Sequence, residues 1–156
     1  MITSVSEVQK VLEICKTVRE ELQAEQIPYA EKIELGIMIE TPAAAIISDQ
    51  LAPLVDFFSV GTNDLTQYTL ACDRQNPDIE SFCDTHHKAI LRLIAWSAKN
   101  AHEHGAWIGI CGELAADTSL TERFLRMGID ELSVSPTFVL KVRDAVRKVD
   151  LHTKEG

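Results

Sequence analysis

The sequence predicts an α/β fold in which parallel strands are joined by crossover helices. Two observations support this prediction: short apolar runs alternate with helical patterns, and no hairpin turn signal lies between consecutive runs. The four runs that have the length and content of buried strands cover residues 33–39, 55–60, 106–111 and 131–134. The pattern alone leaves two architectures open, a small doubly wound sheet and part of an eight-stranded (β/α) barrel.

The helices are predicted from their start signals and from apolar residues at helical spacing. Ser4 and Glu7 form a capping box at the head of the first helix. Thr41 and Pro42 supply an N-cap and a first helical position for the second helix. Asp84 is the predicted cap of a long fourth helix. The six predicted helices cover residues 4–26, 42–51, 65–72, 84–104, 118–127 and 136–149, and a loop covers 73–84.

Composition indicates one globular domain, predicted over residues 1–150 with a frayed tail over 151–156. The apolar runs reach about eight residues, whereas a membrane-spanning helix needs about 20. We therefore expect a cytoplasmic protein without membrane insertion. The net charge of −9 argues against a nucleic-acid partner. The 4 cysteines show no CxxC spacing, and we expect all of them to be reduced thiols.

Three polar clusters follow three of the predicted strands. Glu40 ends the first, Asn63 and Asp64 follow the second, and Cys111 ends the third. Because the carboxyl ends of parallel strands meet at one edge of a sheet, we expect these residues to share a site.

Each cluster has a chemical and a structural interpretation. Glu40 and Asp64 could share a Mg²⁺ ion, which accepts one or two carboxylates, or Glu40 could cap the helix that follows it. Asn63 lies at a helix start that suits a phosphate group, although a tight turn with a capping residue has the same pattern. Arg74 is a candidate anion clamp or a partner in a surface salt bridge.

Cys111 could act as a nucleophile, as a proton donor or as a small buried apolar residue. Nearby carboxylates disfavour the thiolate, so a neutral acid is the preferred chemical role. The 5 histidines match no zinc-site spacing.

Three motifs resemble the carboxyl-terminal, phosphoenolpyruvate-binding domain of enzyme I of the bacterial sugar phosphotransferase system. They are MIETPAA at 38–44, VDFFSVGTNDLTQYTLACDR at 55–74 and CGELAAD at 111–117. Pyruvate phosphate dikinase and phosphoenolpyruvate synthase share the strand-end motifs, but the run TQYTLACDR is more similar to enzyme I.

The resemblance implies the carboxyl-terminal half of a (β/α)8 TIM-type barrel with a substrate site. In it Glu40 and Asp64 would bind Mg²⁺, Asn63 and Arg74 would contact the phosphate of phosphoenolpyruvate, and Cys111 would protonate enolpyruvate. The implied reaction transfers the phosphoryl group to an enzyme histidine and releases pyruvate. The histidine then passes the group to the carrier protein HPr. The resemblance also implies a homodimer.

The family's phosphorylated histidine belongs to a separate amino-terminal domain, so the chain is expected to be a fragment with little turnover of its own. An open half barrel is expected to self-associate or to be marginally stable. Two other functions stay open: an assembly module without catalysis, and a Mg²⁺-dependent carbon–carbon lyase of a related barrel.

Overall fold

The sheet contains four parallel strands in the order in which they occur along the chain. The computed structural model describes residues 1–153, with the backbone alone at Glu80. The strands are β1 (Gly36–Ile39), β2 (Phe57–Gly61), β3 (Trp107–Cys111) and β4 (Glu131–Leu132), and each pairs in parallel with the next. The predicted α/β fold with a parallel sheet is confirmed. Within residues 1–153 the strand order shows no change of direction of the kind that defines a doubly wound sheet.

Helices connect the strands and flank the sheet. They are α1 (Val5–Ala24), α2 (Pro42–Ile46), α3 (Ser48–Leu51), α4 (Thr62–Leu70), α5 (Lys88–Glu103), α6 (Glu113–Ala116), α7 (Thr121–Arg126) and α8 (Pro136–Lys148). Short 3-10 helices cover Ala52–Leu54 and Pro77–Phe82. The capping box of α1 forms as predicted, since the Ser4 side chain accepts from the backbone N–H of Glu7 and the Glu7 side chain accepts from that of Ser4.

Some element boundaries differ from the prediction. The first strand begins at Gly36 and not at residue 33, because Ile33 is 56% exposed and the Leu35 N–H donates to the Asp56 carboxylate at 2.7 Å. The predicted second helix is divided into α2 and α3 at Ile47, whose backbone leaves the helical region (φ −95°, ψ 20°).

The long helix α5 begins later than predicted, at Lys88. Its cap is His87, whose Nδ1 accepts from the Ala89 N–H at 3.2 Å. Asp84, the predicted cap, instead accepts a hydrogen bond from the His86 N–H at 2.9 Å. The prediction was wrong because the Asp84 carboxylate stabilises a turn that precedes the helix.

The two faces of the sheet differ in burial. Alternate strand residues on one face are fully buried in the hydrophobic core with the apolar side of α5; they are Ile39, Phe58, Val60, Ile108 and Ile110. On the other face Gly61 and Gly109 are buried, but the larger residues are only partly buried; they are Met38, Phe57, Ser59, Trp107 and Cys111. Because successive strand residues point to opposite faces, the sheet is covered well on one face and incompletely on the other.

The carboxyl-terminal tail was predicted to be frayed over residues 151–156, and residues 154–156 of that range lie outside the described part of the chain. Among residues 1–153, every helix is too short or too polar to cross a membrane.

Candidate functional site

The predicted site residues leave the sheet at its carboxyl-terminal edge. The register pairs Ile39 with Val60 and Gly61 with Cys111, so the strand ends are level. Glu40 follows β1 directly and lies across β2, since a Cβ added to Gly61 would be 3.0 Å from the Glu40 Cβ and Oε2 atoms. Gly61 therefore provides the space in which the Glu40 side chain packs.

The turns after β2 and β3 are joined by hydrogen bonds. The Thr62 hydroxyl donates to the Cys111 carbonyl at 3.1 Å, and the Glu113 N–H donates to the Asn63 Oδ1 atom at 3.3 Å. Gly112 has φ +101°, and a Cβ at this position would be 2.6 Å from the Thr62 Oγ1 atom. Both the positive φ and the contact with Thr62 therefore exclude a side chain at position 112. The hydrogen bonds and this close contact hold the two turns in one arrangement.

The Cys111 thiol is held by neighbours on β2. Its sulfur donates to the Val60 carbonyl and accepts from the Ser59 hydroxyl, each at 3.5 Å. The contact with the carbonyl is made by the S–H group, whereas the Ser59 hydroxyl can donate to the thiol or to the thiolate. Ser59 was not identified from the sequence, although its two-residue offset from Gly61 places it on the face of the sheet that carries Cys111.

Asp64 and Arg74 form an ion pair beside the turn after β2. The guanidinium lies 3.3 Å from the Asp64 Oδ1 atom, and the Arg74 side chain is 45% exposed. The Arg74 N–H also donates to the Gln67 Oε1 atom at 3.2 Å. The backbone of the following loop is thus attached to α4, and the exposed face of the guanidinium is accessible to an anion.

Two neighbouring cavities contain several of the predicted residues. The larger, of about 810 Å³, is lined by Cys111, Asn63 and Glu113 among others. The smaller, of about 300 Å³, is lined by Arg74 together with the same Asn63 and Glu113. Glu40 and Asp64 are not among the described residues that line these two cavities. The structure therefore brings Asn63, Arg74 and Cys111 to adjoining cavities. Of the two carboxylates, Asp64 pairs with Arg74, and Glu40 packs against Gly61.

Lys141 also lines the larger cavity and was not identified from the sequence. It lies on α8, which follows β4, so its position depends on how the last helix packs against the sheet. No local motif marks such a residue.

The carboxylates have the donor chemistry that Mg²⁺ prefers. Glu40 is 12% exposed and its Oε1 atom lies 3.7 Å from the amino group of Met1, while Asp64 faces Arg74. Both carboxylates thus attract cationic partners. Residues 1–153 contain no cluster of three or more ligating side chains. Mg²⁺ does not require one, since it binds through one or two carboxylates with water and phosphate oxygens. The residues present fit this ion.

Asp117 closes the turn after α6 at the edge of the larger cavity. Its carboxylate accepts hydrogen bonds from the Ser119 hydroxyl at 2.7 Å and from the Ser119 N–H at 2.9 Å, and it contacts His86 Nε2 at 2.7 Å. These contacts lower the pKa of the Asp117 carboxyl. Since His86 precedes α5, this contact joins the segment before α5 to the turn that carries the CGELAAD motif.

The cysteine prediction requires a correction. Cys72 and Cys83 form a disulfide, with Cα atoms 6.0 Å apart, whereas Cys15 and Cys111 are free thiols. The prediction of four reduced thiols was wrong for this pair because it rested on the absence of CxxC spacing. The loop after α4 folds back on itself and brings together two cysteines that are 11 residues apart.

Comparisons with known proteins assign the chain to a family. A family model described as "PEP-utilising enzyme, PEP-binding domain" matches residues 1–151. The chain is similar to the phosphoenolpyruvate-protein phosphotransferase of Lactococcus lactis subsp. cremoris, with 45% identity over 99% of the chain and 27% of the relative. The protein of the same name from Priestia megaterium is 43% identical over 96% of the chain and 26% of the relative. The chain thus spans about a quarter of the length of these curated relatives.

Proposed function

Because the chain belongs to the family of PEP-utilising enzymes, we propose that it is the phosphoenolpyruvate-binding domain of a phosphoenolpyruvate-protein phosphotransferase. The observation that supports this most directly is the position of Asn63. Its side chain lines both cavities, with Cys111 in one and Arg74 in the other. A ligand with a phosphate at one end and a reactive carbon at the other suits two adjoining cavities of this kind.

Asn63 and Arg74 bind the phosphate in this proposal. The Asn63 amide supplies N–H donors, and its Oδ1 atom is already occupied by the Glu113 N–H, which orients the amide. Arg74 offers a planar, permanently charged group that matches phosphate oxygens. When phosphate binds, the guanidinium keeps Asp64 as a neighbour and neutralises part of the ligand charge.

Cys111 acts as the acid. Phosphoryl transfer breaks the bond between phosphorus and the bridging oxygen and leaves the enolate of pyruvate. The Cys111 S–H group gives its proton to C3 of that enolate, which forms pyruvate and leaves a thiolate. Its present contacts with Ser59 and Val60 are long, at 3.5 Å, so the proton can be redirected toward a ligand in the cavity at small cost.

We propose Mg²⁺ as the cofactor, with Glu40 and Asp64 as its protein ligands. The ion would neutralise charge on the phosphate and orient it. Glu40 is suited to this role because the packing against Gly61 limits the motion of its side chain.

The acceptor of the phosphoryl group is proposed to be a histidine in another part of a longer protein, from which the group passes to HPr. Four of the histidines in the chain already have structural contacts. His86 pairs with Asp117, His87 caps α5, His102 pairs with Asp130, and His104 bonds to the Asn100 carbonyl. The names of the relatives, which are protein phosphotransferases, also support a protein acceptor.

The sheet is proposed to be half of a (β/α)8 barrel. Half of a barrel has parallel strands in sequential order, and helices cover only its outer face. The sheet has this strand order, one helix-covered face and one incompletely buried face. The position of the site supports this, since barrel enzymes carry their active sites at the carboxyl ends of the strands.

Calorimetry tests the proposal. Phosphoenolpyruvate is titrated into the folded chain with and without Mg²⁺, and into the variants Asp64→Asn and Arg74→Gln. We expect Mg²⁺-dependent binding that Asp64→Asn removes. Arg74→Gln should weaken binding by about ten- to a hundredfold, the usual effect of losing a charge-assisted hydrogen bond.

The matched control is Arg147→Gln, because this exposed arginine lies at the end of α8 remote from the strand ends. The Arg147→Gln variant should bind phosphoenolpyruvate with the affinity of the parent chain. A folded chain that gives no binding heat with phosphoenolpyruvate and Mg²⁺, or equal losses in Arg74→Gln and Arg147→Gln, would contradict the proposal.

A further inference from the structure

The loop that carries Arg74 is closed at its base by the Cys72–Cys83 disulfide. Cys72 is buried, with 4% exposure, at the end of α4, and Cys83 follows the 3-10 helix Pro77–Phe82. Arg74 lies two residues inside the closed loop. The same covalent link therefore fixes the backbone on both sides of this proposed phosphate contact.

The other contacts of the loop are weak. Arg74 pairs with Asp64 at 3.3 Å, but its side chain is 45% exposed, and exposed ion pairs order a loop only slightly. Phe82, the largest apolar side chain of the loop, is 71% exposed and adds little burial. The Gln67 hydrogen bond to the Arg74 N–H is the remaining contact with α4 that involves Arg74 in the described structure. The disulfide is therefore the strongest constraint on where Arg74 lies.

The disulfide also adjoins the proposed site. Cys83 lines the smaller cavity together with Asn63 and Arg74. A change at this sulfur therefore occurs at the cavity that Arg74 serves.

We propose that Cys72 and Cys83 are a reversible redox site that controls the position of Arg74. In the oxidised form the loop holds Arg74 beside Asn63 for an anionic ligand. In the reduced form the loop samples other arrangements, and the affinity for the anion falls. The second half of this inference rests on the proposed function, whereas the redox change of the loop does not.

The chemistry is thiol–disulfide exchange. A dithiol reductant attacks as a thiolate at the sulfur of Cys83, the less buried of the two residues, and Cys72 leaves as a thiolate that takes up a proton. The second thiol of the reductant then displaces Cys83. The protein gains two thiols, and the dithiol loses two electrons and becomes a cyclic disulfide. In the reverse direction, oxidised glutathione takes two electrons and two protons from the cysteines and leaves as two molecules of reduced glutathione.

The first measurement is the state of the thiols. The folded chain is treated with oxidised glutathione or with dithiothreitol, alkylated and digested for mass spectrometry. We expect a Cys72–Cys83 disulfide with free Cys15 and Cys111 in the oxidised sample, and four alkylated cysteines in the reduced one. Mass spectrometry identifies any sample in which Cys111 carries glutathione, and such samples are left out of the comparison.

The second measurement compares both samples by hydrogen exchange and by titration with phosphoenolpyruvate and Mg²⁺. Amides of residues 73–84 should exchange faster after reduction. The dissociation constant should rise about three- to tenfold, as expected if the reduced loop holds Arg74 in the competent position in one third to one tenth of molecules. The double variant Cys72→Ser/Cys83→Ser should bind weakly under both conditions, and Cys15→Ser should respond like the parent chain.

The inference is overturned if oxidised glutathione forms no Cys72–Cys83 disulfide, or if exchange over 73–84 is the same in both states. If reduction changes hydrogen exchange over 73–84 but leaves the affinity for phosphoenolpyruvate unchanged, the disulfide does not control the position of Arg74. If neither form binds phosphoenolpyruvate while the loop responds to reduction, the proposed function fails and the redox site stands.

Discussion

Cys111 shows how one side chain is prepared for chemistry by the strand next to it. Its S–H group donates to the Val60 carbonyl and its sulfur accepts from the Ser59 hydroxyl, so two contacts with β2 orient the thiol. The position at the end of β3 exposes the sulfur to the larger cavity. An S–H group that makes one long hydrogen bond beside a cavity can turn toward a ligand there, as the proposed acid requires.

The acid role can be measured without phosphoryl transfer. By microscopic reversibility, a site that protonates C3 of enolpyruvate also removes a proton from the methyl group of pyruvate. In D₂O with Mg²⁺, we expect the chain to accelerate deuterium exchange of that methyl group, as followed by proton NMR. Cys111→Ala should reduce the acceleration by about a hundredfold or more, within the usual contribution of a general acid or base. The control is Cys15→Ala, and equal exchange in both variants would refute the role.

Gly112 carries a different constraint, because its positive φ and its contact with Thr62 both exclude a side chain. Gly112→Ala should lower the free energy of unfolding by roughly 1–2 kcal/mol for the backbone and by about 1–3 kcal/mol more for the clash. Gly105→Ala is the matched control, since Gly105 has φ +78° and open space around its Cβ position. Urea denaturation should show a larger decrease in the free energy of unfolding for Gly112→Ala than for Gly105→Ala. Equal losses would mean that the contact with Thr62 contributes nothing.

At the scale of elements, the sequence predicts what local patterns encode. Apolar runs and the Ser4 capping box locate the strands and α1, because burial and capping depend on nearby residues. The division at Ile47 depends on packing between helices, and the Cys72–Cys83 pairing depends on how a loop folds back. Lys141 reaches the larger cavity through the packing of α8. Such features arise from contacts between distant parts of the chain and have no local signature.

The contact between His86 and Asp117 joins two elements and gives a pH dependence. Hydrogen bonds from Ser119, with the contact to His86, hold the pKa of Asp117 below its usual value of 3.8. A carboxyl whose pKa is lower in the folded state stabilises the protein above its usual pKa, and this stabilisation is lost as pH falls through the folded pKa. Asp117→Asn should therefore be destabilising at pH 7, and the difference from the parent chain should shrink below about pH 4.

Urea denaturation of both proteins between pH 7 and pH 3 measures this difference. Asp144→Asn is a suitable control because Asp144 lies in an exposed pair with Lys148 on α8. If the free energies of unfolding of Asp117→Asn and the parent chain differ by the same amount at every pH, the charge of Asp117 does not contribute to stability.

At the scale of the whole molecule, the incompletely buried face of the sheet has the clearest consequence. Phe57 and Trp107 stack on this face with ring centroids 4.4 Å apart. In the described chain β1 and β4 each pair on one side only, so both sheet edges are open. Open edges and partly buried aromatic rings favour association with another copy of the chain.

We therefore expect self-association. Light scattering coupled to size-exclusion chromatography should give a mass above that of one chain, rising with concentration. Asp64→Asn should associate equally, since Asp64 lies on α4 and not on this face. A single species with the mass of one chain at all concentrations would rule out the expectation.

The strand ends are proposed to form one phosphoenolpyruvate site. A crystal structure of the chain with phosphoenolpyruvate and Mn²⁺, which replaces Mg²⁺ and is located by anomalous scattering, tests it most directly. We expect phosphate contacts with Asn63 and Arg74, the metal at Glu40 and Asp64, and C3 facing the Cys111 sulfur. Ligand and metal bound away from these residues, or a phosphate group against Cys111, would contradict it.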